Sequence, residues 1–427
     1  MPPTPNTANS LSHAQSVHPV TALAVVSFLA FGALLVLFGA NSTALIAHLD
    51  LDYSDLGLLG SMLSLGLGVG IIVAGPISDR LPRRPLYIIS CLLVLVAATT
   101  LSADTDYRSL LLHTLVIGFG AGFYETVLNA LIVEEFSERA PRRLIFVHSA
   151  ATLAASATPL LFEFARTITP LAWYDTFRIV GGLHALLILS VAFVSMRPSP
   201  RLSKGAKRTM DADARDSSEG GEAADPSPAA SLTLPPANDR VALAAICLAT
   251  FAYVGVESAL TLFVADHATS ELGLDATHAA RSISAFWGGL LVGRLAIGLS
   301  PRRAGAGTTA ALAAIGAVII SLFGFGWIGI PELAMAGVGF CLGGVFPIMI
   351  GLAGMALPGS VGTAVGLAGG LGSLGGFVVP WLTGRIATTA TGGLSIALAS
   401  LGAWLGVLVV AAVLTHHRQQ LQRSRRE

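Results

Sequence analysis

The sequence predicts an all-α polytopic membrane protein, with twelve transmembrane helices arranged as two six-helix bundles. Of its 427 residues, 53% are hydrophobic and only 12% are charged, whereas soluble domains carry about 25% charged residues. Twelve apolar stretches reach the roughly 20 residues that a helix needs to cross a bilayer. A polar segment at 197–240 divides these stretches into six and six. These three observations together predict the fold class.

The apolar stretches are bounded mostly by proline, glycine and arginine. They run over residues 20–48, 54–78, 84–103, 108–133, 143–165, 173–196, 241–266, 278–299, 306–328, 332–356, 361–387 and 390–415. We therefore expect a polar N-terminal tail at 1–19, six-helix bundles at 20–196 and 241–415, and a C-terminal tail at 416–427.

The positions of the arginines predict the orientation. One set of loops and the C-terminal tail hold Arg80, Arg83, Arg84, Arg139, Arg142, Arg143, Arg302, Arg303, Arg418, Arg423, Arg425 and Arg426. The opposite set has fewer basic residues, Arg108, Arg166, Arg178 and Arg281, alongside the acids Asp50, Asp52, Asp55, Asp104, Asp106, Asp266, Glu271 and Asp275. Short cytoplasmic loops carry an excess of Lys and Arg. Both termini and the 197–240 segment are therefore expected to face the cytoplasm, in a plasma or inner membrane.

The 197–240 segment is rich in Pro, Ser, Ala, Gly and charged residues and lacks aromatic residues. Such a composition cannot bury enough apolar surface to fold alone. We expect a disordered cytoplasmic linker whose role is to tether the two bundles, in preference to a regulatory role.

Glu125 lies in an otherwise almost wholly apolar stretch, residues 110–133. A charged side chain at this depth costs roughly 2.5–3.5 kcal/mol on insertion scales, so it must face protein or a water-filled cavity. Gly118, Gly122 and Asn129 fall on the same helical face. This small and polar seam indicates a solute pathway, and a carboxylate in such a place is functional by default.

The two halves share a short motif at corresponding places. Gly75-Pro-Ile-Ser-Asp79-Arg80-Leu-Pro-Arg83-Arg84 follows the second span, and Gly298-Leu-Ser-Pro-Arg302-Arg303 follows the eighth. Six-span halves duplicated about an axis along the membrane normal are a recurrent transporter architecture. The motif therefore predicts an internal repeat.

With twelve spans and this loop, the chain resembles the major facilitator superfamily. The loop matches the superfamily signature of Gly, three residues, Asp, Arg, one residue, Gly and two basic residues, except that Pro82 replaces the second Gly. The resemblance implies the major facilitator fold and a gating loop made of Gly75, Asp79, Arg80, Arg83 and Arg84. We expect Gly75 to permit close helix packing, and Asp79 to sit against a helix N-terminus or an arginine.

Within the superfamily the chain is similar to the fucose:proton symporter and sugar-transporter-like branch. The residues that carry this likeness are Gly122, Phe123, Tyr124, Glu125, Thr126 and Asn129 in the fourth span, Tyr253, Gly255 and Glu257 in the seventh, Phe286, Trp287, Gly288, Gly289, Gly293 and Arg294 in the eighth, and Phe346 and Pro347 in the tenth. The chain departs from the branch at Ser42, where an aspartate is expected, and at Ala151, where an asparagine is expected. The resemblance implies alternating access and a central cavity lined by spans one, four, seven and ten.

In such a cavity Glu125 is the candidate proton-coupling carboxylate, which takes up a proton and releases it on exposure to water. The alternative is a neutral carboxyl group hydrogen-bonded to Asn129. Tyr253, Glu257 and Thr261 lie one turn apart on the seventh span. Glu257 is expected to bind substrate hydroxyls or to share the proton load. A packing ion pair of Glu257 with Arg294 is an equally weighted alternative, since buried charges are generally paired.

Asn41, Asn129, His148 and Trp287 complete the substrate-binding candidates, with Tyr253 and Glu257. The amide of Asn41 can donate to and accept from a polyhydroxy solute, and Trp287 can offer its ring face to a sugar. Packing explains Trp287 equally well, and a satisfied core histidine is the favoured interpretation of His148.

The expected function is secondary transport of a small polar solute, sugar-like or another polyhydroxy or organic metabolite, with protons or sodium as the coupling ion and proton symport preferred. The alternative is a proton-driven efflux pump for drugs or metabolites, whose cavity should be apolar and aromatic. Because the chain has no HExxH, GxSxG, CxxC or Walker motif, we do not expect an enzyme. We expect no cofactor, no metal and no nucleic-acid partner, and a monomer in the lipid bilayer. Cys91, Cys247 and Cys341 are interpreted as small buried hydrophobes.

Overall fold

The computed structural model describes residues 19–78, 80–136, 140–194, 196, 237–299, 304–357 and 361–424. The helices in this part are α1 Pro19–Ala40, α2 Ser42–Leu49, α3 Tyr53–Ser78, α4 Arg83–Thr99, α5 Tyr107–Phe136, α6 Ala140–Ile168, α7 Trp173–Ser190, α8 Ala237–Asp266, α9 Ala276–Leu299, α10 Ala306–Gly324, α11 Pro331–Leu342, α12 Val345–Ala356, α13 Val361–Thr389 and α14 Gly393–Ser424. A 3₁₀ turn, Val191–Phe193, follows α7, and a π-helical turn, His267–Glu271, follows α8.

Each of the twelve predicted spans coincides with one helix or with two consecutive helices. The first span is α1 with α2, and the tenth is α11 with α12. Within the described residues, 11 helical segments are long and apolar enough to cross a membrane. The remaining span, α4, has 17 residues, at the lower limit of about 17–25 residues for a transmembrane helix. The predicted all-α, many-helix fold is confirmed.

The tails and the linker are covered only in part. Residues 1–18 and 197–236 lie outside the described residues, and α8 begins at Ala237, just before the predicted end of the linker. The last helix continues to Ser424, beyond the predicted end of its span at residue 415. Lys, Arg, Gln and Leu favour helix, so the basic, Gln-rich end of the chain extends the helix after the apolar stretch has ended.

The tenth span is interrupted where the sequence weakens it. Gly343 and Gly344 separate α11 from α12. Pro347 has no N–H to offer the carbonyl of Gly343, four residues earlier. The Nε of Arg294, on α9, donates to that carbonyl oxygen instead, at 3.2 Å. At the depth of a bilayer a freed carbonyl needs such a partner.

The predicted internal repeat is present in the helix packing. In the N-terminal half α3 packs on α5, α1 on α6, and α4 on α7; in the C-terminal half α9 packs on α11, α8 on α13, and α10 on α14. Counted along the six spans of each half, these are the same pairs. The two halves meet mainly where α3 contacts α13 and where α6 contacts α9.

Paired glycines hold one helix pair of each half at backbone contact. A Cβ on any of these glycines would collide with a carbonyl oxygen of the facing helix, so only glycine permits this approach. They are Gly66 and Gly70 facing Gly118 and Gly122 in the α3–α5 pair, and Gly289 and Gly293 facing Gly339 and Gly343 in the α9–α11 pair. Gly118 and Gly122 therefore pack against α3 and do not line the cavity, contrary to the solute pathway that the sequence predicted for this face.

The two halves touch at one end of the bundle and separate towards the other. We call the end where α2 meets α3 the acidic end, after the acids of its loops, and the opposite end the arginine-rich end. At the acidic end a Cβ on Gly57 would lie 2.7 Å from the carbonyl oxygen of Pro380, on the other half. Towards the arginine-rich end a Cβ on Gly75, Gly366 or Gly369 would meet no atom within 4 Å.

Hydroxyl groups and one carboxylate close the acidic end. Thr43 Oγ1 donates to Asp266 Oδ1 at 3.2 Å and lies 3.4 Å from Thr269 Oγ1. The hydroxyl of Tyr53 lies 3.2 Å from Ser270 Oγ. These five residues, which we call the acidic-end latch, join α2 and α3 to the end of α8 and its π-helical turn. Such turns occur frequently at functional sites.

The predicted gating loop is described except for Asp79, which lies outside the described residues, as do Arg302 and Arg303. Gly75 does not pack closely against another helix, contrary to the expectation, because the two halves have separated where it lies. Arg80 and Arg84 are exposed. Arg83 is buried and holds both carboxylate oxygens of Glu134, at 2.5 and 2.6 Å, which ties the start of α4 to the end of α5.

We expect Glu134→Gln to lower the free energy of unfolding by about 3 kcal/mol, the lower end of the range for buried pairs, because Arg83 would lose its counter-charge while Glu134 is partly exposed. The measurement is thermal unfolding of the purified protein in detergent. Arg84→Gln, which changes an exposed neighbour, should leave the melting temperature almost unchanged. Equal shifts in the two variants would contradict a structural role for the pair.

We expect Thr43→Cys combined with Thr269→Cys to form a disulfide rapidly on mild oxidation, because the two oxygens that the sulfurs replace are 3.4 Å apart. The control is Gly75→Cys combined with Gly366→Cys, at the separated end. Both pairs are placed in a chain whose three cysteines are changed to alanine, and cross-linking is followed by peptide mass spectrometry. Faster cross-linking of the control pair would mean that the closed end has been misassigned.

Candidate functional site

A cavity of about 200 Å³ lies between the two halves, inside the membrane-spanning helices. Spans one, two, four and five of the N-terminal half line it, as do the corresponding spans seven, eight, ten and eleven of the C-terminal half; α4, α7, α10 and α14 do not. Its polar lining residues are Ser64, Glu125, His148, Thr152, Tyr253, Glu257, Ser258, Thr261, Trp287, Arg294 and Ser373. The remaining wall is glycine and apolar side chains.

Glu125 reaches the cavity from α5, as the sequence predicts. The glycine seam presses the preceding turn of α5 onto α3, with Gly122 against Leu67, and the carboxylate follows one turn later. Asn129 is the neighbour that interacts with this carboxylate, and no charged neighbour does so among the described residues. A carboxylate at this depth without a cation depends on water, a proton or a ligand for its charge balance.

Tyr253 and Glu257 lie one turn apart on α8 and both face the cavity. The phenolic hydroxyl of Tyr253 donates a short hydrogen bond to Glu257 Oε2. Arg294 acts on Glu257 only at longer range: no nitrogen of Arg294 comes within 4.0 Å of a carboxylate oxygen in the described chain. The direct ion pair of Glu257 with Arg294 is therefore not formed in this structure.

Arg294 is held at the cavity wall by neutral groups. Its Nε donates to the carbonyl of Gly343, and its Nη1 donates to Thr152 Oγ1 at 2.9 Å. Thr152 belongs to the N-terminal half, so Arg294 connects the two halves across the cavity. The hydroxyl of Tyr253 also lies close enough to interact with the guanidinium.

Trp287 and His148 both line the cavity. Trp287 is only 5% exposed, and its indole Nε1–H has no hydrogen-bond partner among the described residues. The ring of His148 packs edge-on against Phe28, with ring centroids 4.7 Å apart. A buried donor without a partner is unusual, and Trp287 combines such a donor with a place on the cavity wall.

Asn41 and Asn129 do not line the cavity, contrary to the expectation. The amide of Asn41 points into the N-terminal half, where it donates to the carbonyl of Leu37 at 2.8 Å and to Thr176 Oγ1 at 3.0 Å, and accepts from Arg166 Nη2 at 2.6 Å. These bonds use both of its protons. Asn41 therefore stabilises the junction of α1, α2, α6 and α7.

Sequence reasoning missed the serines of the cavity wall, namely Ser64, Ser258 and Ser373. Ser64 and Ser373 belong to spans two and eleven, which the expected lining did not include. The sequence did contain a signal. Both serines lie among the glycines of apolar spans, and small and hydroxyl residues in such spans are enriched at helix interfaces. In the described part of the chain, no group of three or more His, Cys, Asp or Glu side chains could hold a metal ion.

The chain is similar to known membrane transporters. A family profile described as Major Facilitator Superfamily matches residues 23–380. The chain is 21% identical over 360 residues to the glucose/mannose transporter GlcP of Bacillus subtilis (strain 168), covering 84% of this chain and 85% of that protein.

Two solved structures share the architecture. A D-xylose–proton symporter superposes with a TM-score of 0.70 at 15% identity, covering 93% of this chain and 96% of the other. The nucleoside transporter NupG superposes with a TM-score of 0.69 at 14% identity, covering 93% and 98%. At these identities the superpositions establish the fold.

Proposed function

The chain belongs to the Major Facilitator Superfamily, and from this premise we propose that it is a secondary active transporter that carries a small polyhydroxy solute by proton symport. The observation that carries the proposal is Glu125, a carboxylate that reaches a cavity between the two halves and has no charged neighbour in the described part of the chain. Intramembrane acids in this situation mark proton relays. The acid is placed to hold a proton while the solute is bound beside it.

The size and lining of the cavity support a small polar solute. Pockets for drug-sized ligands occupy roughly 300–1,000 Å³, and this cavity has about 200 Å³. Hydroxyl, carboxylate and indole groups are spread over its wall, which suits a solute with several hydroxyl groups better than an apolar drug. The similar proteins described as a glucose/mannose transporter and a D-xylose–proton symporter support a sugar-like solute.

The arginine-rich end is the cytoplasmic end in this proposal, because short cytoplasmic loops carry the excess of basic residues. Both chain termini then lie in the cytoplasm of a cell that bears the protein in its plasma or inner membrane. The conformation, closed at the acidic end and separated towards the arginine-rich end, is then inward-facing. One chain holds the whole cavity, so we propose that a monomer is the working unit.

Uptake of radiolabelled sugars, polyols and organic acids into proteoliposomes, with and without an imposed pH gradient, tests the proposal directly. Accumulation that requires an inward proton gradient supports symport. Accumulation driven by a sodium gradient alone would identify sodium, not the proton, as the coupling ion. Extrusion of the solute against its own gradient would favour the efflux alternative.

We expect Glu125→Gln to lower the rate of uphill, pH-driven uptake at least about tenfold, because an amide cannot carry the proton. Counterflow exchange, which needs no net proton movement, should persist. Glu163→Gln is the control, since Glu163 lies outside the cavity, 3.8 Å from Arg166 on α6. Normal pH-driven accumulation by the Glu125 variant would remove that residue from the coupling.

We expect Glu257→Gln to raise the counterflow half-saturation concentration about tenfold, equivalent to about 1.4 kcal/mol of binding free energy. The amide keeps the acceptor for Tyr253 but gives the solute a weaker partner than a carboxylate. Tyr253→Phe should have a smaller effect. If Glu257→Gln instead gave a poorly inserted protein, judged by size-exclusion chromatography, its role would be packing.

A further inference from the structure

The wall that α9 presents to the cavity consists of hydrogen-bond donors. Trp287 and Arg294 both line the cavity and lie seven residues apart, so they share one helical face about 10 Å apart along the axis. Indole and guanidinium groups donate hydrogen bonds and accept none. A ligand on this wall must therefore bring acceptors.

We infer that the solute is a polyhydroxy acid, such as a sugar acid, whose carboxylate binds at Arg294, in preference to a neutral sugar. The inference rests on the proposed transport function and names its substrate class.

Arg294 has no directly paired carboxylate in the described chain, and Glu257 acts on it only at longer range. Its hydrogen-bond partners are a carbonyl and a hydroxyl, those of Gly343 and Thr152, and no carboxylate oxygen lies within 4.0 Å of its nitrogens in the described chain. A cation at bilayer depth is costly unless it is paired. The carboxylate of a solute would supply the missing partner, and guanidinium suits it because the planar fork can bind both oxygens.

The position of the guanidinium is fixed before any solute arrives. Pro347 leaves the Gly343 carbonyl without a backbone donor, and this carbonyl holds Nε of Arg294. Thr152 holds Nη1 from the other half. A donor fixed in this way loses little side-chain entropy on binding, and its link to both halves makes it sensitive to their separation.

The adjoining wall, formed by α8 of the same half, suits the hydroxyl groups of the same solute. Glu257, Ser258 and Thr261 follow one another along α8 and all line the cavity. They offer acceptors and rotatable hydroxyl groups. The indole Nε1–H of Trp287, without a protein partner, is placed for a further hydroxyl or carboxylate oxygen.

Charge balance connects this solute to the proton. The ionisable groups on the cavity wall are Glu125 from α5, His148 from α6, Tyr253 and Glu257 from α8, and Arg294 from α9; the other lining helices contribute none. With a carboxylate bound at Arg294 and with His148 and Tyr253 neutral, the cavity has no net charge when Glu125 and Glu257 both carry a proton. With a neutral sugar it has none when only one of them does. Loading of the acid should therefore require protons more steeply than loading of a neutral sugar.

Matched solutes test the inference without any mutation. D-glucuronate and D-glucose, and D-galacturonate and D-galactose, differ only in the group at C6. Binding is measured by the thermal shift of the purified protein, and transport by uptake into proteoliposomes with an inward proton gradient. We expect each acid to bind at least tenfold more tightly than its sugar, and to be taken up against its gradient.

Arg294→Gln should remove that preference, with at least a tenfold loss for the acid and little change for the sugar, and Arg294→Lys should restore part of it. Thr152→Val keeps the charge of Arg294 but removes one of the groups that position it. This variant should still prefer the acid, at lower affinity, and it provides a test if Arg294→Gln fails to fold. Arg178→Gln, on α7 and away from the cavity, is the charge-matched control.

The outcomes separate the two proposals. Binding of the sugars in preference to the acids, or equal binding, overturns the inference and leaves transport intact. Binding of the acids without uptake supports the inference and contradicts the transport proposal. Binding and uptake of none of the four solutes contradicts the inference and leaves the wider solute panel as the test of transport.

Discussion

A polar group among lipid-facing helices must find its partner inside the protein, and this constraint sorts the polar residues of the chain. Arg83 is buried against Glu134, and Asn41 uses its amide on Leu37, Thr176 and Arg166. These contacts hold helices together. Among the described residues, Glu125 has no charged neighbour, and the indole Nε1–H of Trp287 has no partner. Other buried groups without a partner in the described chain, such as the hydroxyl of Tyr124 and Nε1 of Trp173, lie away from the cavity. An unmet hydrogen bond therefore indicates the site only where it coincides with the cavity, as it does at Trp287.

The glycine pairs explain how a cavity can persist between apolar helices. Without a hydrophobic driving force in lipid, close backbone contact has to come from small residues. The α3–α5 and α9–α11 pairs obtain it at equivalent positions of the two halves. Each half is therefore tied together by backbone contacts, and one helix of each glycine pair, α3 or α9, also meets the opposite half. The same repeat places Glu125 three residues after Gly122 and Phe346 three residues after Gly343, so symmetric positions carry a carboxylate in one half and a ring in the other.

The sequence predicted the helices closely because a membrane span has few alternatives to helix, and it predicted Glu125 because depth alone makes a carboxylate informative. It placed Asn41 in the cavity because periodicity reports the depth of a residue but not which neighbour its side chain faces. It assigned close packing to Gly75 from a motif, although the distance between the halves at that end depends on the conformation. The repeated glycine spacing was readable in the printed sequence, at 66, 70, 118 and 122 and again at 289, 293, 339 and 343. It would have located the tight helix pairs.

Several contacts between the halves are made by hydroxyl groups that also have an acceptor in their own helix. Ser61 Oγ is 2.6 Å from the carbonyl oxygen of Phe377, on the other half, and 2.8 Å from that of Gly57, one turn back. Thr269 and Thr388 likewise bond to carbonyls of their own helices while they meet Thr43 and Ser54. A hydrogen bond contributes a net of only about 0.5–1.5 kcal/mol, whereas a buried group left unpaired costs more. Separation returns Ser61, Thr269 and Thr388 to bonds that they already have within their own helices. Thr43 and Ser54 lose their acceptors on the other half, so opening at the acidic end exchanges their bonds for bonds to water.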